Sequence, residues 1–307
     1  MHIYPDYYKD FRCIASRCTH NCCIGWEIDI DSNSLNFYDT VSGDFKKRLL
    51  QNISYDDPPH FILSENERCP FLNDHNLCDI IINLGENHIC DICKEHPRFH
   101  NELPGRIESG LGLCCEEAAR IILSKKDTVK LVSDKNNITE DEIIILRDEI
   151  MNILQDRNHS VKERLGIALS LCNTTASVSN IKAWCDVLLN LEQLDKNWGD
   201  LLCDVKESYD FINFSLFEKH MKEREHEYEQ FVVYLLYRHF ANAPDIYEAQ
   251  NRIRFINFAY ELLYALGATV FYKNGEFSLD MQIELTRLFS SEIEYSDENL
   301  YTLFDMV

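Results

Sequence analysis

The sequence predicts a mainly α fold in which a loop-rich N-terminal half packs on a helical C-terminal half, with at most minor β-hairpins. Up to about Lys125 the predicted segments are short and interrupted by turn residues, as at Pro58-Pro59. Beyond that point apolar residues recur with helical spacing. We therefore expect a cysteine-rich region over residues 1–125 and a helical region over residues 126–307, which can form one continuous body.

Two capping-box patterns mark helix starts in the second half. Thr139-Glu140-Asp141-Glu142 and Ser160-Val161-Lys162-Glu163 each place an acidic residue three positions after a hydroxyl residue, ahead of an apolar-periodic stretch. They predict helices that begin near residues 140 and 161. The apolar periodicity predicts further helices near residues 178–194, 215–240, 245–266, 279–291 and 297–305.

Two segments have strand-like patterns. Residues 26–31 alternate apolar and acidic side chains, which is typical of a half-buried strand. Residues 270–277 contain Asn274-Gly275, a pair that favours a two-residue hairpin turn. We expect a strand at the first segment and a small hairpin at the second.

The acidic composition limits the possible partners. The formal net charge is −22, from 52 Asp and Glu against 30 Lys and Arg. Such a surface repels phosphate backbones and attracts cations, including lysine-bearing proteins, so nucleic acid is not expected as a partner. No stretch approaches the ~20 uncharged apolar residues of a membrane span, and the first residues lack the pattern of a secretion signal. We expect a cytoplasmic protein, without membrane contact, whose thiols stay reduced.

The cysteines are unevenly distributed. Of 13 in total, ten lie between Cys13 and Cys115, in four groups: Cys13, Cys18, Cys22 and Cys23; Cys69 and Cys78; Cys90 and Cys93; Cys114 and Cys115. Because thiolates repel one another, several of them come together only around a compensating cation. The pattern predicts that a metal staples the N-terminal half.

The spacing leaves the identity of the metal open. Structural zinc sites favour two C-x2-C knuckles per ion, and Cys90-x2-Cys93 is the one knuckle of that form. Neither ferredoxin spacing occurs. An iron–sulfur cluster, a zinc ion and a set of thiols without metal all remain possible. His20 and His96 lie beside cysteines, where they could ligate or donate hydrogen bonds.

Four motifs and a later stretch resemble the flagellin lysine-N-methylase family, whose cysteine pattern is shared with a wider group of zinc- or iron-chelating proteins. The motifs are Phe11-Arg12-Cys13 through Cys22-Cys23-Ile24-Gly25-Trp26; Arg68-Cys69-Pro70-Phe71-Leu72 with Cys78 and Leu84-Gly85; Cys93 with Pro97-Arg98; and Leu111-x-Leu113-x-Cys115-x-Glu117-Ala118-Ala119-Arg120. His226-Glu227-Tyr228-Glu229 and Val233-Tyr234-Leu235-Leu236-Tyr237-Arg238 are also similar to that family. The most specific part of the resemblance is residues 11–121.

The resemblance implies N-methylation of lysine side chains on flagellin or another lysine-rich protein. It also implies S-adenosylmethionine as methyl donor and a [4Fe-4S] cluster as cofactor. Eight cysteines match the family pattern and are the implied ligands: Cys13, Cys18, Cys22, Cys23, Cys69, Cys78, Cys93 and Cys115. Cys90 and Cys114 look like local additions. Glu116 stands where we expect a proline, and the chain is shorter than some members, which puts an extra substrate-docking region in doubt.

The reaction needs a base, because a lysine with a pKa of ~10.4 is almost fully protonated near neutral pH. Candidates by position are Glu27, Tyr228 and Glu229. For the donor, Trp26 could stack on the sulfonium, and Arg98 and Arg120 could anchor a carboxylate.

No glycine-rich dinucleotide-type motif supports a Rossmann donor pocket. An open iron could instead chelate the donor, although Gly25 stands where the third cysteine of C-x3-C-x2-C would be.

Two other functions fit the same sequence. In the first, zinc is purely structural and the acidic helical half binds a basic partner. In the second, an iron–sulfur enzyme modifies some other peptide. Metal analysis separates the first from the methylase hypothesis, and a methylation assay separates the second.

Overall fold

The computed structural model describes residues 1–135, 140–176 and 180–307. The fold is mainly α, as predicted. The chain divides into two compact units: Arg12–Phe99, here the cysteine unit, and Met1–Phe11 with His100–Val307, here the helical unit.

Short strands and helices alternate up to residue 133, and helices follow. The strands are β1 (His2–Pro5), β2 (Ile53–Ser54), β3 (His60–Phe61), β4 (Arg98–Leu103), β5 (Arg106–Leu111) and β6 (Leu131–Ser133). The helices are α1 (Ser32–Thr40), α2 (Asp44–Gln51), α3 (Asp79–Leu84), α4 (Asp91–Glu95), α5 (Glu116–Leu123), α6 (Glu142–Leu154), α7 (Val161–Leu171), α8 (Ile181–Leu189), α9 (Lys196–Ser208), α10 (Phe214–Met221), α11 (Glu225–His239), α12 (Ile246–Asn274), α13 (Leu279–Phe289) and α14 (Asp297–Met306), with a π-helical turn at Ser290–Glu294.

The cysteine unit has a small core of its own. Phe61 packs edge-on against Phe71, with 4.9 Å between ring centroids, and buried aliphatic side chains surround them. Residues 26–31 do not form the predicted strand. They make one isolated bridge, Asp29 with His60, and the Phe61 N–H donates to the Ile28 carbonyl at 3.0 Å. The alternation nevertheless places the side chains of Ile28 and Ile30 in the core of the cysteine unit.

The N-terminus of the chain joins the helical unit through a sheet that the sequence analysis did not predict. Its strand order is β4-β5-β1-β6. Strand β1 pairs in parallel with β5, with Ile3 opposite Glu108, and antiparallel with β6. This pairing explains why the units differ from the predicted ranges 1–125 and 126–307. Residues 1–11 and 100–125 contribute strands and a helix to the helical unit rather than to the cysteine unit.

The long helix α12 corrects the predicted hairpin at residues 270–277. The helix continues to Asn274 and ends at Gly275, whose φ of 77° is left-handed and whose N–H donates to the Phe271 carbonyl at 2.8 Å. Phe277 then turns back onto the helical core against Phe217. An Asn-Gly pair suits a hairpin turn and a helix C-cap equally, since both need a positive φ.

Other helix boundaries agree with their local signals. The capping box at Ser160 is present, with its side chain accepting from the Glu163 N–H. Helix α6 is capped by Asp141, whereas Thr139, the cap predicted from sequence, lies outside the described residues. The segment predicted as one helix over 215–240 is two helices, α10 and α11, separated by a 3-10 turn, and α9 was not predicted.

Helix α12 is long and apolar enough to cross a bilayer when judged by length and composition alone. This criterion allows charged residues within the window, whereas the sequence analysis looked for about 20 uncharged apolar residues. In the structure, 72% of its most apolar window is buried inside the protein, which is typical of a core helix.

Candidate functional site

The cysteine unit brings six thiols into one cluster, here the thiol cluster. Each of them interacts electrostatically with at least one other member, and they come from four chain segments: Cys22, Cys23, Cys69, Cys78, Cys90 and Cys93. Five of the eight ligands implied by the resemblance are among them.

Backbone contacts join the first two cysteine groups. The Cys69 N–H donates to the Cys23 carbonyl at 2.9 Å, and the Gly25 N–H donates to the Glu67 carbonyl at 3.1 Å. Gly25 has a φ of 93°, a conformation that residues with a Cβ rarely adopt. This backbone explains why a glycine, rather than a third cysteine, stands at that position.

The remaining cysteines are positioned by turns and short helices. Leu72 bridges to Cys78, so the loop after Cys69 folds back on itself and places Cys78 at the start of α3. Cys90 caps α4 and Cys93 lies one turn later, with the Cys93 N–H donating to the Cys90 carbonyl at 3.0 Å.

Burial keeps most thiols of the cluster protonated in the metal-free protein. It raises the pKa of Cys69 and of Cys90 to about 11 each, and it also raises the pKa of Cys78. The pKa of Cys93 is raised by burial and then by its neighbouring thiolates. These groups ionise together only if a cation compensates their charge, which is the chemistry of a thiolate-bound metal.

The adjacent residues Cys22 and Cys23 differ from each other in the direction of their pKa shifts. A hydrogen bond from Cys23 lowers the pKa of Cys22, and the same bond raises the pKa of Cys23. Of the two thiols, Cys22 is therefore the more easily ionised.

The donor set fits a thiolate-ligated group in its chemical composition, since its members are thiols that interact with one another. His96 adds a nitrogen: its Nε2 is buried and has no hydrogen-bond partner among the described residues, and burial lowers its pKa to about 4, so the ring is neutral near pH 7. Within the described residues, however, no three Cys, His, Asp or Glu side chains converge as the ligands of a single ion.

Cys90 was not among the eight implied ligands. It is fully buried, its Sγ lies 3.5 Å from the Tyr38 hydroxyl, and it is coupled to Cys69 and Cys93. The Cys90-x2-Cys93 spacing was the sequence signal for its participation.

The other three implied ligands have different surroundings. Cys13 is exposed, and its Sγ accepts the Ala15 N–H at 3.4 Å. Cys18 is half-buried and follows a 3-10 turn in the cysteine unit. Cys115 belongs to the helical unit, where it precedes the first residue of α5. Their role as ligands stays a prediction.

The predicted donor-binding residues have local partners. The Trp26 indole N–H donates to the Cys22 carbonyl, and its ring contacts His96 with centroids 5.7 Å apart. Arg98 donates to the Lys94 carbonyl at 3.1 Å. Arg120, in the helical unit, forms a bidentate pair with Glu117 at 2.7 and 2.6 Å.

The three predicted bases differ in exposure. Glu27 is exposed and lies 3.1 Å from His60 Nδ1. Tyr228 is buried in the helical unit, and burial raises its pKa well above the usual value. In the part of the chain that the structure describes, its hydroxyl has no hydrogen-bond partner.

Glu229 is buried and pairs with Arg157 at 2.7 Å and Arg164 at 2.6 Å. Pairing with two guanidinium groups indicates a structural role for Glu229.

A buried polar network in the helical unit escaped the sequence analysis. Glu294, in the π-helical turn, accepts from the Tyr234 hydroxyl at 3.0 Å and lies 2.7 Å from His239 Nε2. Arg238 Nε lies 3.4 Å from the same carboxylate. The resemblance quoted Tyr234 and Arg238, but no local pattern marks Glu294. Because π-helical turns are frequent at functional sites, this network is a second candidate for chemistry.

The network also holds the fourth cysteine group. The Leu113 N–H donates to the Tyr234 hydroxyl at 3.3 Å. Cys114 is half-buried, desolvation raises its pKa to about 12, and it is hydrogen-bonded to Tyr295. The loop before α5 is therefore fixed to the end of the π-helical turn.

Comparisons with known proteins point to lysine N-methylases. Residues 173–307 match the family model described as the FliB lysine N-methylase C-terminal domain. The chain is 27% identical over 150 residues to the lysine-N-methylases of Salmonella choleraesuis and Salmonella typhimurium, an alignment that covers 44% of this chain and 35% of each relative. The resemblance predicted from the sequence is thus confirmed, and the match spans about a third of those relatives.

A further relative is the flagellar biosynthetic protein FliU of Salmonella muenchen. It is 26% identical over 145 residues, which are 43% of this chain and 82% of that protein. No solved structure matches the chain significantly. The family-model match lies in the helical unit, whereas the sequence analysis placed the most specific motifs in residues 11–121. The resemblance of the cysteine motifs therefore stays a prediction.

Proposed function

We propose that this chain N-methylates lysine side chains of flagellin in the cytoplasm, with S-adenosylmethionine as methyl donor and a [4Fe-4S] cluster held by the cysteine unit. The similarity to lysine-N-methylases supports the reaction, and the name of the FliU relative supports a flagellar substrate. The one observation of the structure that carries the proposal is the thiol cluster. Six sulfur donors from four segments need a cation in order to ionise together.

The proposed ligands are drawn from the thiol cluster, that is, from Cys22, Cys23, Cys69, Cys78, Cys90 and Cys93. A [4Fe-4S] cluster with one open iron would take three of these six thiolates. When bound, an iron–sulfur cluster with an open iron would supply a Lewis-acidic site for the methyl donor. The neutral ring of His96 and the indole of Trp26 line the neighbourhood of Cys22.

The protein has to bind the substrate lysine as an ammonium and then accept its proton. Under about 0.1% of a lysine with a pKa of ~10.4 is neutral at pH 7. Glu27 suits both steps best among the three predicted bases, since its side chain is 59% exposed and a protein substrate can reach it. Tyr228 and Glu229 are buried, and Glu229 is already paired with two arginines.

The decisive test is anaerobic incubation of the metal-loaded protein with isotopically labelled S-adenosylmethionine and flagellin, followed by mass spectrometry of the lysines. We expect labelled methyl groups on lysine Nζ. If the loaded protein left flagellin unmodified but methylated another peptide, that peptide would replace flagellin as the proposed substrate. A loaded protein without any methyl transfer would refute the activity.

The cofactor is tested separately by metal analysis of anaerobically purified protein. We expect iron and sulfide with a brown charge-transfer absorption. Colourless protein with stoichiometric zinc would favour the alternative in which zinc is structural and the acidic helical half binds a basic partner.

The role of Glu27 is tested by Glu27→Gln against Glu65→Gln, which removes another exposed acid of the same unit. We expect the first variant to lower kcat/KM by about 10²-fold or more, the usual contribution of a general base, and the second to have little effect. Equal activity of the two variants would exclude Glu27 as the base.

A further inference from the structure

A groove of about 560 Å³ opens in the helical unit, a volume within the range of ligand-binding clefts. Helices α9 and α13 supply most of its lining, and α12 adds one residue. The lining residues are Asn197, Asp200, Leu201, Asp204, Val270, Asp280, Met281, Glu284, Leu285 and Leu288. None of these residues belongs to the thiol cluster or to the network around Glu294.

The lining has a large apolar part. Val270 comes from α12, Leu201 from α9, and Leu285 and Leu288 from α13. Contact between these side chains and an apolar group of a ligand removes apolar surface from water, which favours binding. A groove between helices with apolar lining is the kind of surface into which an amphipathic helix docks.

Acidic residues come from the same two helices. Asp200 and Asp204 are four residues apart on α9, and Asp280 and Glu284 are four residues apart on α13. Residues at this spacing lie on the same face of a helix, one turn apart. Each helix therefore contributes two carboxylates to the groove.

Only half of these carboxylates have a basic partner. Lys273 lies 2.5 Å from Asp204, and Arg287 lies 2.8 Å from Glu284. Asp200 and Asp280 are exposed and form no ion pair in the part of the chain that the structure describes. Two uncompensated negative charges thus accompany the apolar lining.

We propose that this groove docks an amphipathic, lysine-bearing helix of the protein substrate. Its apolar side chains would lie against Leu201, Val270 and Leu285, and its lysines would pair with Asp200 and Asp280. Identifying the occupant as the substrate rests on the proposed function. The charge of the groove argues for this occupant, since a second copy of this chain (net charge −22), a nucleic acid or an anionic membrane would be repelled.

The groove is tested by binding of a fluorescent peptide to the full-length protein, measured by anisotropy. The probe is a helical peptide with leucines on one face and lysines flanking them. We expect Asp200→Asn/Asp280→Asn to weaken binding by about 2- to 30-fold, the sum of two exposed charge contacts. The double variant Glu149→Gln/Glu223→Gln removes the same net charge at exposed sites outside the groove lining and should bind like wild type.

A second variant tests whether the peptide occupies the groove. Met281 is half-buried in the groove, and Met281→Lys introduces a charge that repels the peptide while the two aspartates stay in place. We expect weaker binding with an unchanged circular dichroism melt. Equal affinity of the groove variants and the control pair would overturn the proposal, because the groove residues would then contribute nothing specific to binding.

Methylation kinetics separate the docking proposal from the proposed function. If both are correct, Asp200→Asn/Asp280→Asn raises KM for the protein substrate and leaves kcat unchanged. Groove-dependent binding without any methyl transfer would refute the activity and retain the docking site. Methyl transfer with KM and peptide affinity unchanged in the groove variants would refute the docking site and retain the activity.

Discussion

Cys90 and Cys185 are both fully buried thiols, but their surroundings differ. Cys90 lies in the thiol cluster beside Cys69 and Cys93. Cys185 lies on α8 in the helical unit, where burial alone is the main cause that raises its pKa to about 12. A comparison of substitutions at Cys90 and Cys185 therefore separates the effect of removing a proposed ligand from that of removing a buried thiol.

We therefore predict that Cys90→Ser weakens metal retention and that Cys185→Ser does not. Loss of a ligand should weaken retention against a chelator by at least the ~10–100-fold that loss of an outer-shell partner costs. Cys185→Ser should retain metal like wild type. Metal per chain after chelator titration measures both, and equal retention in the two variants would remove Cys90 from the ligand set.

Glu294 is a carboxylate with no exposed surface, bonded to Tyr234 and His239 and paired with Arg238. Burial raises its pKa, but the charge of Arg238 and the hydrogen bond from His239 outweigh this effect, and the net direction is downward. Because the folded-state pKa lies below the unfolded value, the ionised group stabilises the fold at pH values above the unfolded pKa.

Glu294→Gln should destabilise the protein by about 3–5 kcal/mol, because the Arg238 charge stays buried without its counter-ion. Urea unfolding measures the change. The matched control is Asp186→Asn, which breaks the exposed pair with Lys206 and should cost within about 1 kcal/mol. A loss below that of the control would show that the network contributes little stability.

The same variant predicts a pH dependence. The stability that Glu294 contributes is present above the unfolded pKa of about 4.3 and is lost as the pH falls through the lower folded pKa. The difference in unfolding free energy between wild type and Glu294→Gln should therefore be large at pH 7 and shrink below about pH 4. A difference that is constant with pH would mean that the carboxylate is not ionised in the fold.

Helix termini are the elements that local sequence predicts best. Ser160 begins α7 through its capping box, as expected. Gly275 ends α12, although the sequence analysis placed it in a hairpin turn. The local preference for a positive φ was correct at Gly275, and the packing of Phe277 on the core selected the helix cap over the hairpin.

Two glycine-to-alanine variants test this interpretation, because we expect them to change the free energy of unfolding in opposite directions. Gly275→Ala forces a side chain into a left-handed conformation and should cost about 1–2 kcal/mol. Gly166→Ala, inside α7 where an added Cβ meets nothing within 4 Å, should stabilise by roughly 0.5–1 kcal/mol. Thermal unfolding measures both, and a neutral Gly275→Ala would contradict the C-cap assignment.

At the scale of the whole molecule, the two units differ in what stabilises them. The helical unit buries most of α11 and α12 around apolar side chains. The cysteine unit has a small core, and members of the thiol cluster are part of it or packed against it. Metal binding free energy in such a unit contributes directly to its folding.

Metal removal should therefore act on one unit. In hydrogen-exchange mass spectrometry of the loaded protein, a chelator should abolish protection of amides within Arg12–Phe99 and leave those of α11 and α12 unchanged. A uniform loss of protection across both units would contradict this prediction, and so would no loss in either.

The sequence by itself determined the mainly α class, the cap at Ser160, the positive φ that Asn274-Gly275 favours, and the groups of cysteines. These features depend on local backbone preference and on side-chain chemistry, which neighbouring residues suffice to express. Only the tertiary structure decided which thiols meet, that β1 pairs with β5 about a hundred residues away, and that Glu294 joins Tyr234. Such contacts depend on burial and packing between segments distant in sequence, and no local pattern records which partners come together.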